Sequence, residues 1–378
     1  MFDFNARRVA LSSKLLEVEI DAVFLPLGSD FEYFTGIRRN LPTYGATSYT
    51  HGWATGVFLS PHRDPIFLLP RLVALVHFGG REVPGDLIRL DETGDGEYLF
   101  NSALKKLGKV RRVAVAHHTW AANIIRLRSY LPDAEILDIG PITNEMRAVK
   151  SHLELESMRK ACEIVDKALL TTFKRIAEGV TARELSQETD YQMRLHGSEG
   201  PSFNTFVGTY GLENRRDSLS PKTADLPIRM GEAIKWDFGA VVNGYCSDFG
   251  RTAFLGEPSN DYLAAYQVLL AAQLAGIKAA KPGARAGDVD LACRQVIEDA
   301  GFAEYFIHRT GHCIGLDVHE RPFISEEDDM ALQTGMTFTI EPSINKQGHF
   351  GMRIEDIVVC SPDGSYKLND CCEVLHIV

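Results

Sequence analysis

Five polar residues in the C-terminal part of the chain lie in or directly after strand-like segments. Folding would bury several of their charged side chains close together. The five residues are Asp237, Asp248, His312, Glu341 and Glu355. Each lies in or directly after a β-rich run with apolar neighbours, so each side chain can project from a rigid strand into one cleft. Asn243-Gly244 lies between Asp237 and Asp248 and favours a tight hairpin turn. We therefore expect these two carboxylates to lie side by side.

Four carboxylates in one pocket need compensating cations, because like charges a few Å apart raise one another's pKa. Taken singly, any of the 51 acidic residues is expected to be a solvated surface charge, and only the ordered set favours ligands. Two divalent ions would supply the compensating charge. Oxygen ligands with one imidazole suit Mn²⁺, with Co²⁺ or Zn²⁺ as alternatives. Such sites activate a water or hydroxide that attacks a polarised carbonyl.

The order, spacing and flanking residues of this set resemble the metallopeptidase family with the pita-bread fold. That family includes prolidase, aminopeptidase P, methionine aminopeptidase and the metal-free creatinase. The resemblance is to the prolidase and aminopeptidase P branch over about residues 150 to 378, and the N-terminal part is similar to that branch's smaller domain. It implies that Asp237 and Asp248 hold one ion, that His312 and Glu341 hold the other, and that Glu355 bridges both.

The resemblance also implies catalytic roles around the ligands. His308 and His319 match the imidazoles that hold the substrate carbonyl and stabilise the tetrahedral intermediate. Arg353 matches an arginine that orients the ligand carboxylates, and Glu341 would also act as the general acid and base. The function implied is hydrolysis of Xaa-Pro peptide bonds by a hydroxide that bridges two divalent ions.

Two departures from the family pattern concern the substrate. A histidine expected upstream of the first aspartate is Ser220 here, and no histidine occurs between His196 and His308. An arginine that several dipeptidases use to clamp the substrate carboxylate is Phe323 here. The arginines that could substitute for it are Arg215, Arg216 and Arg321.

A third departure is Gly250, where relatives commonly have a threonine whose hydroxyl can support the metal site. Because all five ligands are present, we interpret it as a tuning change. The departures leave an alternative open, in which the same metals act on a small non-peptide substrate similar to creatine, ectoine or dimethylsulfoniopropionate. A non-catalytic family member is the remaining alternative, and metal binding would distinguish it.

Length and charge limit the remaining possibilities. A chain of 378 residues with 45% hydrophobic content can form two cores. A net charge of −11 argues against nucleic-acid or anionic membrane surfaces as partners. The N-terminus has no apolar signal region, no run is long enough to span a bilayer, and the seven cysteines include no CxxC pair. We expect a soluble cytoplasmic protein with reduced thiols and a small peptide or small molecule as substrate.

Patterning predicts two domains. Residues 1–147 alternate strand-like and helical runs, which predicts an α/β domain of the creatinase N-terminal type. Residues 148–378 predict an α+β pita-bread domain, with helices on a curved, mainly antiparallel sheet, and Thr181 with Glu184 predicts a capped helix. By resemblance the protein forms a homodimer. The aromatic stretch Tyr44–Trp53 is either a loop lent to the partner's active site or a local core patch.

Overall fold

The computed structural model describes residues 2–39, 51–211, 223–346 and 349–378. The chain forms two units, which meet in sequence between Met146 and Arg147. Ser220, Arg215, Arg216 and most of the aromatic stretch after Tyr44 lie outside the described residues.

The N-terminal unit is built on a mixed sheet in which parallel strand pairs flank an antiparallel centre. Its strands are β1 (Ala22–Pro26), β2 (Gly56–Ser60), β3 (Arg63–Pro70), β4 (Asp86–Leu90), β5 (Arg112–Val115) and β6 (Glu135–Asp138), in the order β4-β3-β2-β1-β5-β6. Its helices are α1 (Phe4–Glu17), α2 (Ser29–Thr35), α3 (Arg71–Phe78), α4 (Gly96–Leu107), α5 (Ala121–Tyr130) and α6 (Gly140–Ala148). The predicted α/β architecture is confirmed.

Aromatic side chains fill the core of this unit. The rings of Phe24 and Phe58 lie 4.7 Å apart, and Phe100 from α4 packs edge-on against Phe24 at 5.3 Å. Alternation along β1 and β2 places these rings on the face that α4 covers.

The C-terminal unit combines capped helices with short strands. Its helices are α7 (His152–Phe173), α8 (Ala182–Leu195), α9 (Asn260–Ala279) and α10 (Ala286–Asp299). Its strands are β7 (Phe206–Tyr210), β8 (Ala233–Phe238), β9 (Val241–Val242), β10 (Tyr245–Cys246), β11 (Phe249–Phe254), β12 (Gly311–Cys313), β13 (Glu320–Ile324), β14 (Thr337–Ile340), β15 (Ser343–Lys346), β16 (Phe350–Arg353), β17 (Asp356–Ser361), β18 (Gly364–Lys367) and β19 (His376–Ile377).

Local sequence signals account for several of these elements. The predicted capping box at the start of α8 is confirmed, because Thr181 accepts from the Glu184 amide while the Glu184 carboxylate accepts from the Thr181 amide. The predicted hairpin is confirmed as well. Asn243 and Gly244 have φ of 50° and 81°, and they join the antiparallel pair β9 and β10.

Two sheets of the C-terminal unit meet at one point. The first has the order β19-β11-β8-β7, and the second has the order β13-β12-β14-β17-β18. All pairs in them are antiparallel except β11 with β19, as the predicted α+β fold class requires. An antiparallel bridge between Gly250 and Glu355 joins the two sheets.

Helix α7 buries its apolar face against the first of these sheets. Ala161, Val165 and Leu169 share one core cluster with Trp236 of β8, at the helical spacing that the sequence predicts. Among the described residues, none of the helices combines the length and apolar character that a membrane crossing requires. The cysteines are free thiols, and all but Cys372 are buried, as expected for reduced core residues.

A buried ion pair lies directly behind the bridge. The guanidinium of Arg251, which is 2% exposed, donates to the carboxylate of Asp356 at 2.6 Å and to the main-chain carbonyl of Glu355 at 2.7 Å. Asp356 also accepts from the amide of Gln273 at 3.0 Å. The pair therefore ties β11 to the start of β17 and holds Glu355 between them.

Replacing Arg251 by methionine should destabilise the C-terminal unit by about 3 kcal/mol, because Asp356 would stay buried with only the longer contact to Lys367, at 3.6 Å, to balance its charge. Urea unfolding followed by circular dichroism measures this loss. Lys160→Met is the matched control, since Lys160 forms an exposed pair with Glu156 at 3.0 Å, and its effect should stay within about 0.5 kcal/mol. Equal effects of the two variants would contradict the assigned role.

A second buried charge cluster holds the start of β13. Glu320, which is 8% exposed, lies 2.5 Å from Arg147 and 3.0 Å from Lys150. Burial opposes the charged carboxylate, but the two cations outweigh burial and lower the pKa of Glu320 from 4.5 to about 2. The cluster orders the strand that follows His319.

The Glu320 cluster should stabilise the fold in a pH-dependent way. Because the folded pKa lies below the unfolded one, its contribution is complete above about pH 5.5 and is lost as pH falls toward about 2. Glu320→Gln should therefore cost on the order of 3 kcal/mol at pH 7, and the gap to wild type should close in acid. Urea unfolding at stepped pH measures the gap, with exposed Glu327→Gln as control. A gap independent of pH would refute the assignment.

Candidate metal centre

The five residues singled out in the sequence converge where the two sheets meet. Asp237 lies in β8, Asp248 directly precedes β11, His312 lies in β12, Glu341 directly follows β14, and Glu355 lies between β16 and β17. The β8–β11 register sets Gly250 opposite Asp237, while the bridge sets Gly250 opposite Glu355. One glycine thus has carboxylate-bearing residues on both sides.

The imidazole of His312 lies among these carboxylates. Its Nε2 is 3.4 Å from the Asp248 carboxylate and 3.3 Å from the Glu341 carboxylate. Its Nδ1 lies 3.1 Å from the carbonyl oxygen of Cys313, so Nδ1 carries a proton and Nε2 faces the site. Burial disfavours the charged imidazole, but the hydrogen bonds to Asp248 and Glu341 outweigh burial and raise the pKa of His312 to about 10. The ring therefore lies in a strongly negative field.

The geometry and the donor set fit a divalent cation. Ligand atoms of Asp248, His312 and Glu355 lie within 4.8 Å of one another, and all three residues are buried. One carboxylate oxygen of Asp248 and one of Glu355 are buried and receive no hydrogen bond from any of the described residues. Orphaned carboxylate oxygens in a buried site are costly unless a cation compensates them. These residues would hold such an ion.

Charge repulsion within the set is visible in the protonation equilibria. Burial, and then the charges of Asp248 and Glu341, raise the pKa of Glu355 well above its ordinary value. Burial likewise raises the pKa of Asp237 to about 6, against the opposing charge of Arg353. Burial also opposes ionisation of Glu341, but Arg353 and His312 outweigh it and lower its pKa to about 2. Cations near the site therefore decide which carboxylates are charged.

Arg353 is the cation that reaches furthest into the set. Its guanidinium contacts Asp237 and lies 3.3 Å from Glu341 and 3.6 Å from Glu355. Its Nε donates to the hydroxyl of Ser343 at 2.9 Å, which fixes the plane of the group. The carboxylates that Arg353 contacts include both Asp237 and the bridging candidate Glu355. It is placed to orient ligand carboxylates.

Gly250 makes room for this arrangement. A Cβ at this position would lie 2.8 Å from the Arg353 side chain and 2.8 Å from the Glu355 carboxylate. A threonine here would push both side chains away from the positions they hold. The absence of a side chain at Gly250 therefore allows Arg353 and Glu355 to lie close to its backbone. This role was not part of the interpretation as a lost hydroxyl.

The structure places the two further histidines on different sides of the centre. His308 lies 2.7 Å from the carbonyl oxygen of Arg309 through Nδ1 and 3.4 Å from Arg353 through Nε2. Burial, and then Arg353, lower its pKa to about 4, so its ring is neutral near pH 7. His319 is exposed, and its ring packs edge-on against His312 at 4.3 Å. His319 is therefore accessible to substrate at the open side.

Phe323 occupies a position beside the centre, where the β12–β13 register sets it opposite His312. The guanidinium of Arg309 lies 4.8 Å above its ring, and that of Arg321 lies 6.0 Å away. Arg321 also pairs with Asp328 at 3.4 Å, so this candidate substitute for the clamping arginine is already engaged. Arg215 and Arg216, the other candidates, lie outside the described residues.

Several residues of the site were not predicted from the sequence. The hydroxyl of Thr339 accepts from the His312 amide and donates to the Glu341 carboxylate, each at 3.1 Å. Ser343 positions Arg353, and Lys235 lies two residues before Asp237. Of these, only Lys235 had a usable signal, because a lysine is unusual inside an apolar strand.

Comparison with known proteins agrees with this architecture. The family model described as Metallopeptidase family M24 matches residues 156–362, and the Creatinase/Prolidase N-terminal domain matches residues 7–149. A Xaa-Pro dipeptidase from Pyrococcus furiosus is 37% identical over 235 residues, which cover 62% of this chain and 66% of that protein. A putative dipeptidase, YkvY, from Bacillus subtilis is 30% identical and covers 95% of this chain and 96% of its own length.

Solved structures give the same result over the whole chain. Recombinant prolidase from Thermococcus sibiricus superposes with a TM-score of 0.89 at 27% identity, covering 100% of both chains. The two-domain fold with a pita-bread C-terminal domain, which the sequence resemblance implies, is thereby confirmed. With a catalytic-domain match over residues 156–362 and an N-terminal domain match over residues 7–149, the chain belongs to metallopeptidase family M24.

Proposed function

We propose that this protein hydrolyses Xaa-Pro peptide bonds with the help of divalent metal ions. The observation that carries the proposal is the buried set of Asp248, His312 and Glu355, with orphaned carboxylate oxygens, in a chain of metallopeptidase family M24. Asp237 and Glu341 complete the ligand set that we assign to two ions. Mn²⁺ is the ion we propose, since carboxylate-rich sites with one imidazole suit it.

The side chains around the ions have separate tasks in this proposal. When bound, the ions would polarise the scissile carbonyl and activate a water at neutral pH. Glu341 is ionised in the field of Arg353 and His312, so it can accept a proton from that water and pass it to the leaving proline nitrogen. His319, on the open side, would donate to the developing oxyanion. Arg353 would keep Asp237 and Glu341 in place.

His308 has a more restricted role in this arrangement. Its Nδ1 proton is directed at the Arg309 carbonyl, and its Nε2 faces the Arg353 guanidinium, which can only donate. Nε2 would therefore accept a hydrogen bond, for example from the substrate amine or amide. We accordingly assign oxyanion stabilisation to His319 and substrate positioning to His308.

Assembly and location belong to the same proposal. We propose a homodimer and a cytoplasmic location. The buried free thiols, among them Cys313 next to the candidate ligand His312, favour a reducing compartment. Size-exclusion chromatography with light scattering measures the assembly.

Chelation should abolish hydrolysis of Xaa-Pro dipeptides, and Mn²⁺ should restore it. A panel of Ala-Pro, Gly-Pro and Phe-Pro, with Pro-Ala as the reversed control, would be assayed by release of free proline before and after chelation. Longer Xaa-Pro peptides would be tested beside them. Metal-loaded protein that cleaves none of the Xaa-Pro substrates would refute the proposed function, whatever its metal content.

Asp248→Asn and Glu355→Gln should each lower metal content and reduce kcat/KM by more than about 100-fold. Substitution of a residue that only hydrogen-bonds to a metal ligand lowers metal affinity or activity roughly 10–100-fold. Loss of a ligand itself should therefore lower kcat/KM further. Elemental analysis after dialysis measures the metal. The chelated variants should unfold at an equal or higher temperature than chelated wild type, because one buried like charge is gone.

Glu327→Gln is the matched control, since Glu327 is an exposed acid of the same unit. It should keep wild-type metal content and activity. A variant of Asp248 or Glu355 that retains wild-type metal stoichiometry would remove that residue from the ligand set.

A further inference from the structure

Lys235 is a buried cation beside the metal centre. It is 7% exposed, and its ammonium donates to the side-chain oxygen of Asn345 at 3.0 Å. The ammonium lies 4.9 Å from the ring centroid of Tyr210 and 5.8 Å from that of Phe206. In the part of the chain that the structure describes, no carboxylate lies within ion-pair distance of it. A buried ammonium with only neutral partners is costly.

The position of Lys235 in β8 directs it toward the reaction site. Residues two apart in a strand project to the same face, so Lys235 and Asp237 share a face. Its charge acts on both His308 and Asp237, which lie at the centre. The cation is therefore part of the same cleft.

Glycines shape the walls around this lysine. Gly208 pairs with Lys235 across β7 and β8, and a Cβ there would meet the Phe206 ring at 2.6 Å. A Cβ at Gly351 would meet the Tyr210 ring at 2.4 Å. Both rings and Asn345 are partly exposed, whereas Lys235 is buried beneath them. The lysine thus lies beneath the two rings and beside Asn345.

Ion binding leaves the charge of Lys235 unbalanced. Two divalent ions would neutralise the four candidate carboxylates, including Asp237, whose charge acts on Lys235. Arg353 already contacts those carboxylates. The loaded cleft would then present Lys235 as a positive charge without an anion of its own, and an anionic group arriving with the substrate would compensate it.

We infer that Lys235, together with Tyr210 and Asn345, binds a carboxylate of the substrate next to the metal centre. Asn345 uses its amide oxygen toward Lys235, so its amide nitrogen is available to donate to the same carboxylate. The inference rests on the proposed function. In a Xaa-Pro dipeptide this carboxylate is either the C-terminal group of proline or the side chain of an acidic first residue.

Lys235→Met tests the inference, because methionine keeps the length and removes the charge. Two matched substrate pairs separate the sources of the carboxylate: Ala-Pro against Ala-prolinamide, and Glu-Pro against Gln-Pro. For the recognised acid, kcat/KM should fall roughly ten- to a hundredfold, mainly through KM. Its neutral partner should lose much less, so the acid-to-amide ratio of kcat/KM should fall.

Binding without turnover gives a second readout. Calorimetric titration of Mn²⁺-loaded protein with L-proline and L-prolinamide, and with L-glutamate and L-glutamine, compares the same acids and amides. Lys235→Met should lose roughly tenfold or more in affinity for one acid relative to its amide. Lys235→Arg, which keeps the charge, should retain part of that affinity.

Two control variants define the result. Lys278→Met removes an exposed lysine from α9 and should change neither acid nor amide. Arg309→Met removes the competing cation above Phe323. A selective loss for Ala-Pro or L-proline in Lys235→Met assigns the C-terminal carboxylate, and a selective loss for Glu-Pro or L-glutamate assigns the side chain.

Equal losses for acids and amides in Lys235→Met would overturn the inference, and so would a selective loss in Arg309→Met alone. If wild-type protein cleaves no Xaa-Pro substrate, the proposed function fails, and the calorimetric comparison still decides whether Lys235 binds a carboxylate. Thermal unfolding of each variant shows whether it is folded.

Discussion

Mutual repulsion among buried carboxylates is the constraint on which the C-terminal unit depends. Asp237, Asp248, Glu341 and Glu355 come from four separate segments, yet all reach the junction of two sheets. Such a cluster opposes folding unless cations compensate it. The sheets meet through the Gly250–Glu355 bridge, and the guanidinium groups of Arg353 and Arg251 both lie at Glu355. Folding of this unit and the proposed function therefore both require cations that compensate these carboxylates.

Two arginines lie at different distances from this cluster. Arg353 contacts the carboxylates directly, while Arg251 lies behind the bridge and holds the Glu355 main chain from the opposite side. Arg251 has its own partner in Asp356, so it adds rigidity and little net charge to the site. In the part of the chain that the structure describes, the Arg353 guanidinium contacts Ser343 and His308 besides the candidate ligand carboxylates. Its charge is therefore committed to the carboxylates that the ions would share.

The parts of this structure that were predictable from sequence rest on local chemistry. The hairpin at Asn243-Gly244 needs positive φ at adjacent residues, and the capping box at Thr181 needs only residues three apart. The fold of the ligand-bearing strands follows from the family resemblance. The turn and the capping box each depend on residues that are close together in the chain, so both can be predicted from a single sequence.

The features that escaped prediction depend on register between distant segments. In the sequence, Gly250 is interpreted as the loss of a threonine hydroxyl. In the structure, it leaves space for the side chains of Arg353 and Glu355, which lie over a hundred positions later in the chain. Strand β4 has little signal in the sequence, because most of its residues are only partly buried at a sheet edge and lack a clear alternation. Thr339 and Ser343 acquire their roles only when β14 and β15 lie beside His312 and Arg353.

Under the proposed function, Phe323 is a change in substrate recognition beside an unchanged candidate ligand set. The strand register sets this ring opposite His312, where an arginine would bring a charge next to the reacting carbonyl. The ring instead supports Arg309 from a neighbouring segment, and a further cation, Lys235, lies two residues before Asp237 in β8. Metal ligands need fixed distances, whereas a substrate carboxylate can be met by a cation from several strands around the same cleft. The cation that binds the substrate carboxylate can therefore come from different strands without any change in the metal ligands.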